Sequence, residues 1–208
     1  MKKYFLFLLF CVVAQTHATE FVLKPELKKD TVLFESDAKL EFIEGKTNAI
    51  EGSFEFNLEN PKDSLYGIIQ VDLNTLKTSI ATRDKDMKEK YLETEKYQYA
   101  YFEILSADSL PNSFVSDSVY TVSADGYFYL HGVKNRIKPK LTIMVPSNSQ
   151  NKQIDVTAKF HVLLEDYGIE RPKLVILKVA KQINLEVKFS AFIGETQKKI
   201  VIPPLYKK

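Results

Sequence analysis

Apolar and polar residues alternate with a period of two along most of this chain, the spacing of strands with one dry face. The clearest case is Ile154, Val156, Ala158, Phe160, Val162 and Leu164 set against Asp155, Thr157, Lys159 and His161. The pattern returns in Ile183, Leu185, Val187 and Phe189 against Asn184, Glu186, Lys188 and Ser190. Upstream, Leu40 and Phe42 alternate with Lys39 and Glu41, and Glu44-Gly45-Lys46 reads as a turn. Phe54, Phe56 and Leu58 alternate with polar neighbours until Asn60-Pro61 stops the strand. Gly67, Ile69, Val71 and Leu73 make another such phase, as do Ala100, Phe102 and Ile104. Val119 to Val122 and Tyr127 to Val133 flank Asp125-Gly126, a hairpin-turn signal, and Gly132 ends the second run. There Phe128 and Leu130 share one face while Tyr127, Tyr129 and His131 share the other. Asp108 to Ser118 is a polar loop; Ile137, Leu141, Ile143 and Val145 form the next strand, with Pro139 at an edge or bulge; Ser147 to Lys152 is a polar turn. About eight closely spaced strands predict an all-β chain, an antiparallel sheet closed as a barrel or folded as a sandwich.

One stretch breaks the period. Between Val71 and Ile104 charged residues crowd around Met87, Tyr91 and Leu92, the narrow apolar stripe of one or two short helices. Ser79 or Thr82 reads as the cap, and Asp84 suits the positive end of the helix dipole. A polar helical insertion between two apolar strands predicts a lid, Thr82 to Tyr97. The residues after Gly194 read as an exposed tail, with Ile200-Val201-Ile202 able to pack against the wall.

The first eighteen residues read differently. Lys2-Lys3, an apolar run from Phe5 to Ala14 and Thr16-His17-Ala18 are the parts of a signal peptide, and a run of about ten residues falls well short of the ~20 that a spanning helix needs. Lipid attachment at Cys11 is the rival, opposed by Phe10 before it and Val12-Val13 after it. Cleavage after Ala18 leaves residues 19–208 as one domain in a periplasmic or secreted setting. It also removes the only cysteine, and with it any internal disulfide or thiol chemistry. Loss of Lys2 and Lys3 leaves 27 basic residues against 27 acidic, a balance with no electrostatic footprint for nucleic acid.

Candidate chemistry is sparse. His131 and His161 sit on separate strands outside any metal-binding spacing and read as surface or hydrogen-bonded side chains. Asp84, Asp86 and Glu89 lie among Lys85, Lys88 and Lys90, the solvated face of a helix, and no nucleophile motif or phosphate loop occurs. What stands out is the large apolar residues on one phase: Phe54, Phe56, Phe102, Phe128, Phe160 and Phe189. In a barrel of eight strands such residues either fill the interior or line a cavity, and periodicity leaves both open.

Three segments carry a family likeness. They are Val71-Asp72-Leu73-Asn74-Thr75-Leu76 with Thr82-Arg83-Asp84, Tyr91-Leu92, Lys96-Tyr97 and Tyr101-Phe102; then Tyr129-Leu130-His131-Gly132-Val133-Lys134 with Leu141-Thr142-Ile143; then Asp166-Tyr167-Gly168-Ile169. With Ile50-Glu51-Gly52-Ser53-Phe54 they resemble, in order, the YceI-like family of exported polyisoprenoid-binding proteins. The resemblance implies a lipocalin-like barrel of eight antiparallel strands whose interior holds an isoprenoid, quinone or other long-chain lipid, without catalysis or a further cofactor. On that footing the ligand-lining candidates are the six phenylalanines above. Ile69, Val71, Ile104, Leu130 and Ile143 join them from one half of the wall. Val156, Val162, Leu185 and Val187 join from the other. Arg83, with Lys85, is placed to meet a head group, the alternative for Arg83 being a structural ion pair. Transient membrane contact and a monomer or homodimer complete the expectation. Gln98 stands where the family commonly has proline, and Glu165 where arginine is usual, which removes a positive charge near one end. A packed barrel serving as a stress-response or protein-interaction module is the first rival, and a lipid hydrolase or isomerase the second.

Overall fold

The computed structural model describes residues 19–23, 30–38, 41–57, 61, 65–147, 153–171, 173–174, 177–178, 180–194 and 199–204. The signal-peptide reading over 1–18, Leu40 and Lys39, the stop at Asn60 and most of the turn at 147–152 lie outside the described residues.

Among the described residues, thirteen strands are β1 (Thr19–Leu23), β2 (Thr31–Ala38), β3 (Glu41–Thr47), β4 (Ile50–Phe56), β5 (Leu65–Asp72), β6 (Tyr99–Asp108), β7 (Val119–Leu130), β8 (Val133–Ile137), β9 (Lys140–Met144), β10 (Gln153–Leu163), β11 (Lys173–Leu174), β12 (Leu177–Lys178) and β13 (Gln182–Ile193). Eight of them close an antiparallel ring in the order β1-β4-β5-β6-β7-β9-β10-β13, with β13 returning to β1. This is the eight-stranded antiparallel barrel that the resemblance implies, and of the barrel and sandwich that the alternation left open it is the barrel. β2 and β3 add a hairpin to β13, and a backbone pair between Lys46 and Lys77 joins that hairpin to the segment after β5. β8 pairs with the second half of β7, and β11 with β12. Alternation maps directly onto the wall: in β4, Ile50, Phe54 and Phe56 are buried while Glu51, Ser53 and Glu55 turn outward. Aromatic and aliphatic side chains of the inner face make up two apolar clusters, one at each end of the barrel.

Three turn or phase readings are corrected. Asp125-Gly126 is no hairpin; β7 runs unbroken through it. A side chain at Gly126 would place its Cβ 2.2 Å from the Glu103 carbonyl oxygen and 2.9 Å from the Phe102 ring, next to the register shift between Ile104 and Ser106. The glycine therefore serves close approach at a bulge. The hairpin turn is His131-Gly132 instead, where both residues have positive φ (52° and 73°) and Leu130 pairs with Val133, the backbone of a two-residue hairpin. Glu44-Gly45-Lys46 lies inside β3, and Gly45 faces Phe34 across the strand pair, with the ring occupying the space that a Cβ would fill. The phase of β3 is also the reverse of the expected one: Phe42 is 59% exposed, and Ile43, Gly45 and Thr47 face inward. Pro139 falls at the break between β8 and β9, as its missing N–H requires.

The insertion is helical but short. A 3-10 turn at Leu73–Thr75 leads to α1 (Ala81–Asp86), followed by a π-helical turn at Met87–Tyr91. Neither Ser79 nor Thr82 caps α1; Ile80 occupies that position and makes no side-chain cap bond. Asp84 does lie in the first turn of α1, as expected, and it also accepts from the backbone N–H and the hydroxyl of Thr78 at 2.7 and 2.5 Å.

Candidate functional site

Two cavities lie end to end inside the barrel. The larger, about 240 Å³, is roofed by Met87, Tyr91 and Leu92 of the insertion and walled by Leu130, Val162, Ile183 and Leu185. The second, about 100 Å³, runs among Phe54, Ile69, Ile104, Ile143, Val156 and Phe189. Beneath it Phe56 packs edge-on against Phe114 at 5.5 Å, and Leu110 is buried beside them. Val71, Ala100, Phe128, Phe160 and Val187 border both cavities.

All sixteen sequence-selected residues fall on this lining. Leu130, Val162, Leu185 and Arg83 face the larger cavity; Phe54, Phe56, Ile69, Phe102, Ile104, Ile143, Val156 and Phe189 face the smaller; Val71, Phe128, Phe160 and Val187 face both. Sequence reasoning missed Phe34, Ile43, Leu73, Leu76, Leu164 and Ile169, which close the upper chamber from β2, β3 and the turns. It also missed Leu110 and Phe114, apolar residues four apart in a loop read as polar; that spacing was the available signal.

Polarity is confined to one end. Ser36, Thr78, Arg83 and Asp86 border the larger cavity, whereas among the described residues the smaller cavity has no charged side chain on its lining. Arg83 is anchored within the insertion: its Nε donates to Thr78 Oγ1 at 2.8 Å and its Nη2 to the Thr78 carbonyl at 2.9 Å. Thr78 Oγ1 in turn donates to Asp84, so that one hydroxyl joins cation and carboxylate. Lys85 is exposed and does not line either cavity.

The other root of the insertion is held by His131. Its Nε2 meets Glu93 Oε2 at 2.6 Å, its Nδ1 meets the Tyr167 carbonyl at 3.1 Å, and Tyr97 packs edge-on at 4.7 Å. Of the two readings for this histidine, the hydrogen-bonded one applies, in a buried setting; His161 is exposed on the outer wall. Around this point Leu164–Tyr167 forms a 3-10 turn ended by Gly168 in the left-handed conformation (φ 64°), which turns Ile169 back into the cavity. Glu165, in the same turn, is exposed. On the outer face, Tyr97, Tyr99, Tyr101 and Tyr129 form a groove completed by Ile202, Pro203 and Pro204, so the tail does return to the wall.

Tyr167 is buried and packs edge-on against Phe128 at 5.7 Å; burial pushes its phenol up to about 12. Because the folded value lies above the unfolded one of about 10, the fold favours the neutral phenol. Stability from this group is therefore complete below about pH 10 and is lost as pH rises towards 12. Urea midpoints of the wild type and Tyr167→Phe are expected to diverge over that window, the phenylalanine variant losing less; parallel curves would remove Tyr167 from the account.

The family model for the YceI-like domain matches residues 23–191. Among solved structures, the chain is similar to a polyisoprenoid-binding domain from Saccharophagus degradans implicated in plant cell wall breakdown, at 16% identity and a TM-score of 0.68, over 85% of this chain and 99% of that one. It is similar also to BcnA of Burkholderia cenocepacia (10% identity, TM-score 0.64, 81% and 98%) and to the YCEI protein of Campylobacter jejuni (15%, 0.60, 74% and 86%). A search of curated protein sequences gave no match. At these identities the structural likenesses establish the barrel, and the family match extends over most of its wall: the chain belongs to the YceI-like family.

Proposed function

We propose that this protein is an exported carrier that sequesters a long-chain isoprenoid or similar lipid inside the barrel and performs no catalysis on it. The observation that carries the reading is the pair of abutting apolar cavities, polar only at the insertion end. Natural cores rarely leave voids larger than a water molecule, so space of this size and composition favours an occupant over a packed interaction module. The gradient orients that occupant, with its polar head beside Thr78, Arg83 and Asp86 and its tail towards the Phe56–Phe114 floor. Burial contributes about 0.8 kcal/mol per methylene, enough for a dozen carbons to bind tightly without directional bonds. The polyisoprenoid binding named for the Saccharophagus domain supports the same ligand class. Export follows from the signal-like start, Lys2-Lys3 through Ala18, and loading through transient membrane contact belongs to the same proposal.

Organic extraction of the purified protein, followed by mass spectrometry, tests it. A prenyl or other long-chain lipid in near-stoichiometric amount is expected. An empty extract, together with no uptake of added prenols, would support the rival ligand-free module.

A further inference from the structure

We infer that the edge-to-face pair Phe128–Phe160 is a gate that sets how long a chain the barrel accepts, an inference that rests on the lipid-carrier reading above. The two cavities meet at a waist of five side chains, and only two of these are large: the Phe128 and Phe160 rings, with centroids 5.3 Å apart and planes at 72°. Val71 and Ala100 are cross-strand partners on one side, a χ1-restricted residue beside a small one. Val187 completes the ring from β13.

The rings are not equally free. Phe128 is 7% exposed, sits opposite Phe102 in register, and has the Tyr167 ring edge-on at 5.7 Å. Both rings border the two cavities, but Phe160 is only partly buried, so more open space adjoins it than adjoins the 7%-exposed Phe128. A side chain with adjoining void can change rotamer without displacing backbone, whereas a close-packed one cannot. Phe160 is thus the moving leaf and Phe128 the fixed post.

The far chamber ends at the Phe56–Phe114 contact, so a chain entering from the insertion end reaches it through this waist. A short prenyl chain ends above Phe160 and leaves the gate closed. A long one must turn the ring aside to gain the apolar wall of Ile69, Ile143 and Phe189. Chain length is then read at one residue rather than by total volume.

The chain contains no tryptophan, so Phe160→Trp both enlarges the leaf and introduces a single indole. Farnesol, geranylgeraniol and solanesol, delivered from cyclodextrin, would be titrated against the wild type, F160A, F160L and F160W, with binding read by native mass spectrometry and thermal unfolding as the check on folding. F160W is expected to weaken solanesol at least tenfold more than it weakens farnesol. F160A and F160L are expected to shift the preference at least fivefold towards solanesol. Equal changes for all three prenols in every folded variant would make Phe160 ordinary wall and overturn the gate alone. Failure of the wild type to bind any prenol would overturn the prenol-carrier reading, and the gate with it.

Discussion

Val156→Asp is expected to empty the barrel and to unfold most of the protein, whereas Thr157→Asp, one residue along the same strand, is expected to leave both fold and lipid load nearly intact. Val156 is 6% exposed and faces the smaller cavity, in register with Ile143 on β9 and Phe189 on β13. A carboxylate there has apolar cross-strand partners on both sides. It must either remain charged without solvation or take up a proton and bury an unsatisfied polar group, at a cost of at least about 3–5 kcal/mol. That is a large part of the 5–15 kcal/mol by which a typical domain is stable. Thr157 points the other way, opposite Thr142 and Lys188, and the same carboxylate there has water and a lysine as neighbours. Strand propensity alone then sets its cost, within about 1 kcal/mol. Urea denaturation of both variants, with extraction of bound lipid from whatever remains folded, measures the contrast. Equal losses at the two positions would mean that the inside–outside phase of β10 is wrong.

The same phase explains why so much of the architecture is legible in the sequence. A strand that forms a barrel wall must alternate, because successive side chains point to opposite faces and only one face is dry. Ile154 to Val162 and Ile183 to Phe189 therefore identify their inward residues unaided, and β10 and β13 pair over eleven positions in the structure. Glycine is where local reading fails. Gly45 and Gly126 sit beside acidic residues in patterns that mimic turns, yet each lies mid-strand where a neighbouring strand leaves no room for a side chain: Gly45 opposite the Phe34 ring, Gly126 against the Glu103 carbonyl oxygen and the edge of the Phe102 ring. That need arises from a neighbouring strand far away in the chain, so a local window cannot contain it. Phe42 is a related case: hydrophobicity alone puts it inward, but pairing of β3 with β2 sets the opposite phase and leaves it exposed.

The site divides along similar lines. Residues contributed by strands were legible because lining a barrel and alternating along a strand are one property. The closures at the two ends were less so, since they come from irregular segments: Leu164 and Ile169 around the Leu164–Tyr167 turn, and Leu110 with Phe114 in the loop before β7. Nor does periodicity distinguish a filled interior from a hollow one. That outcome depends on how side chains from opposite walls meet, as Phe128 and Phe160 do, and such contacts are fixed only when the ring closes.

Tyr91→Ala combined with Leu92→Ala is expected to accelerate lipid release by one to two orders of magnitude while leaving the wall folded. The insertion is the weakest part of the enclosure by construction. Its helical turns are six and five residues long, too short to be stable without docking. Hydrogen bonds hold its roots, through Thr78, Asp84 and Arg83 before it and Glu93 with His131 after it. Between those roots its contact with the barrel is apolar: Met87, Tyr91 and Leu92, each partly buried against the upper cluster. Full burial of such side chains contributes roughly 1.5–3 kcal/mol each, so removing two half-buried ones forfeits about 2–3 kcal/mol of docking, and local opening becomes correspondingly more frequent. Strand pairing elsewhere is untouched, so the urea midpoint of the sheet should move little. Stopped-flow transfer of a fluorescent prenol to acceptor vesicles measures release, and hydrogen exchange in apo and loaded protein locates the opening. Faster exchange confined to residues 81–92, together with faster release, would identify this segment as the lid. Unchanged release with equal protection in both forms would make it fixed scaffold and place the entrance at another part of the wall.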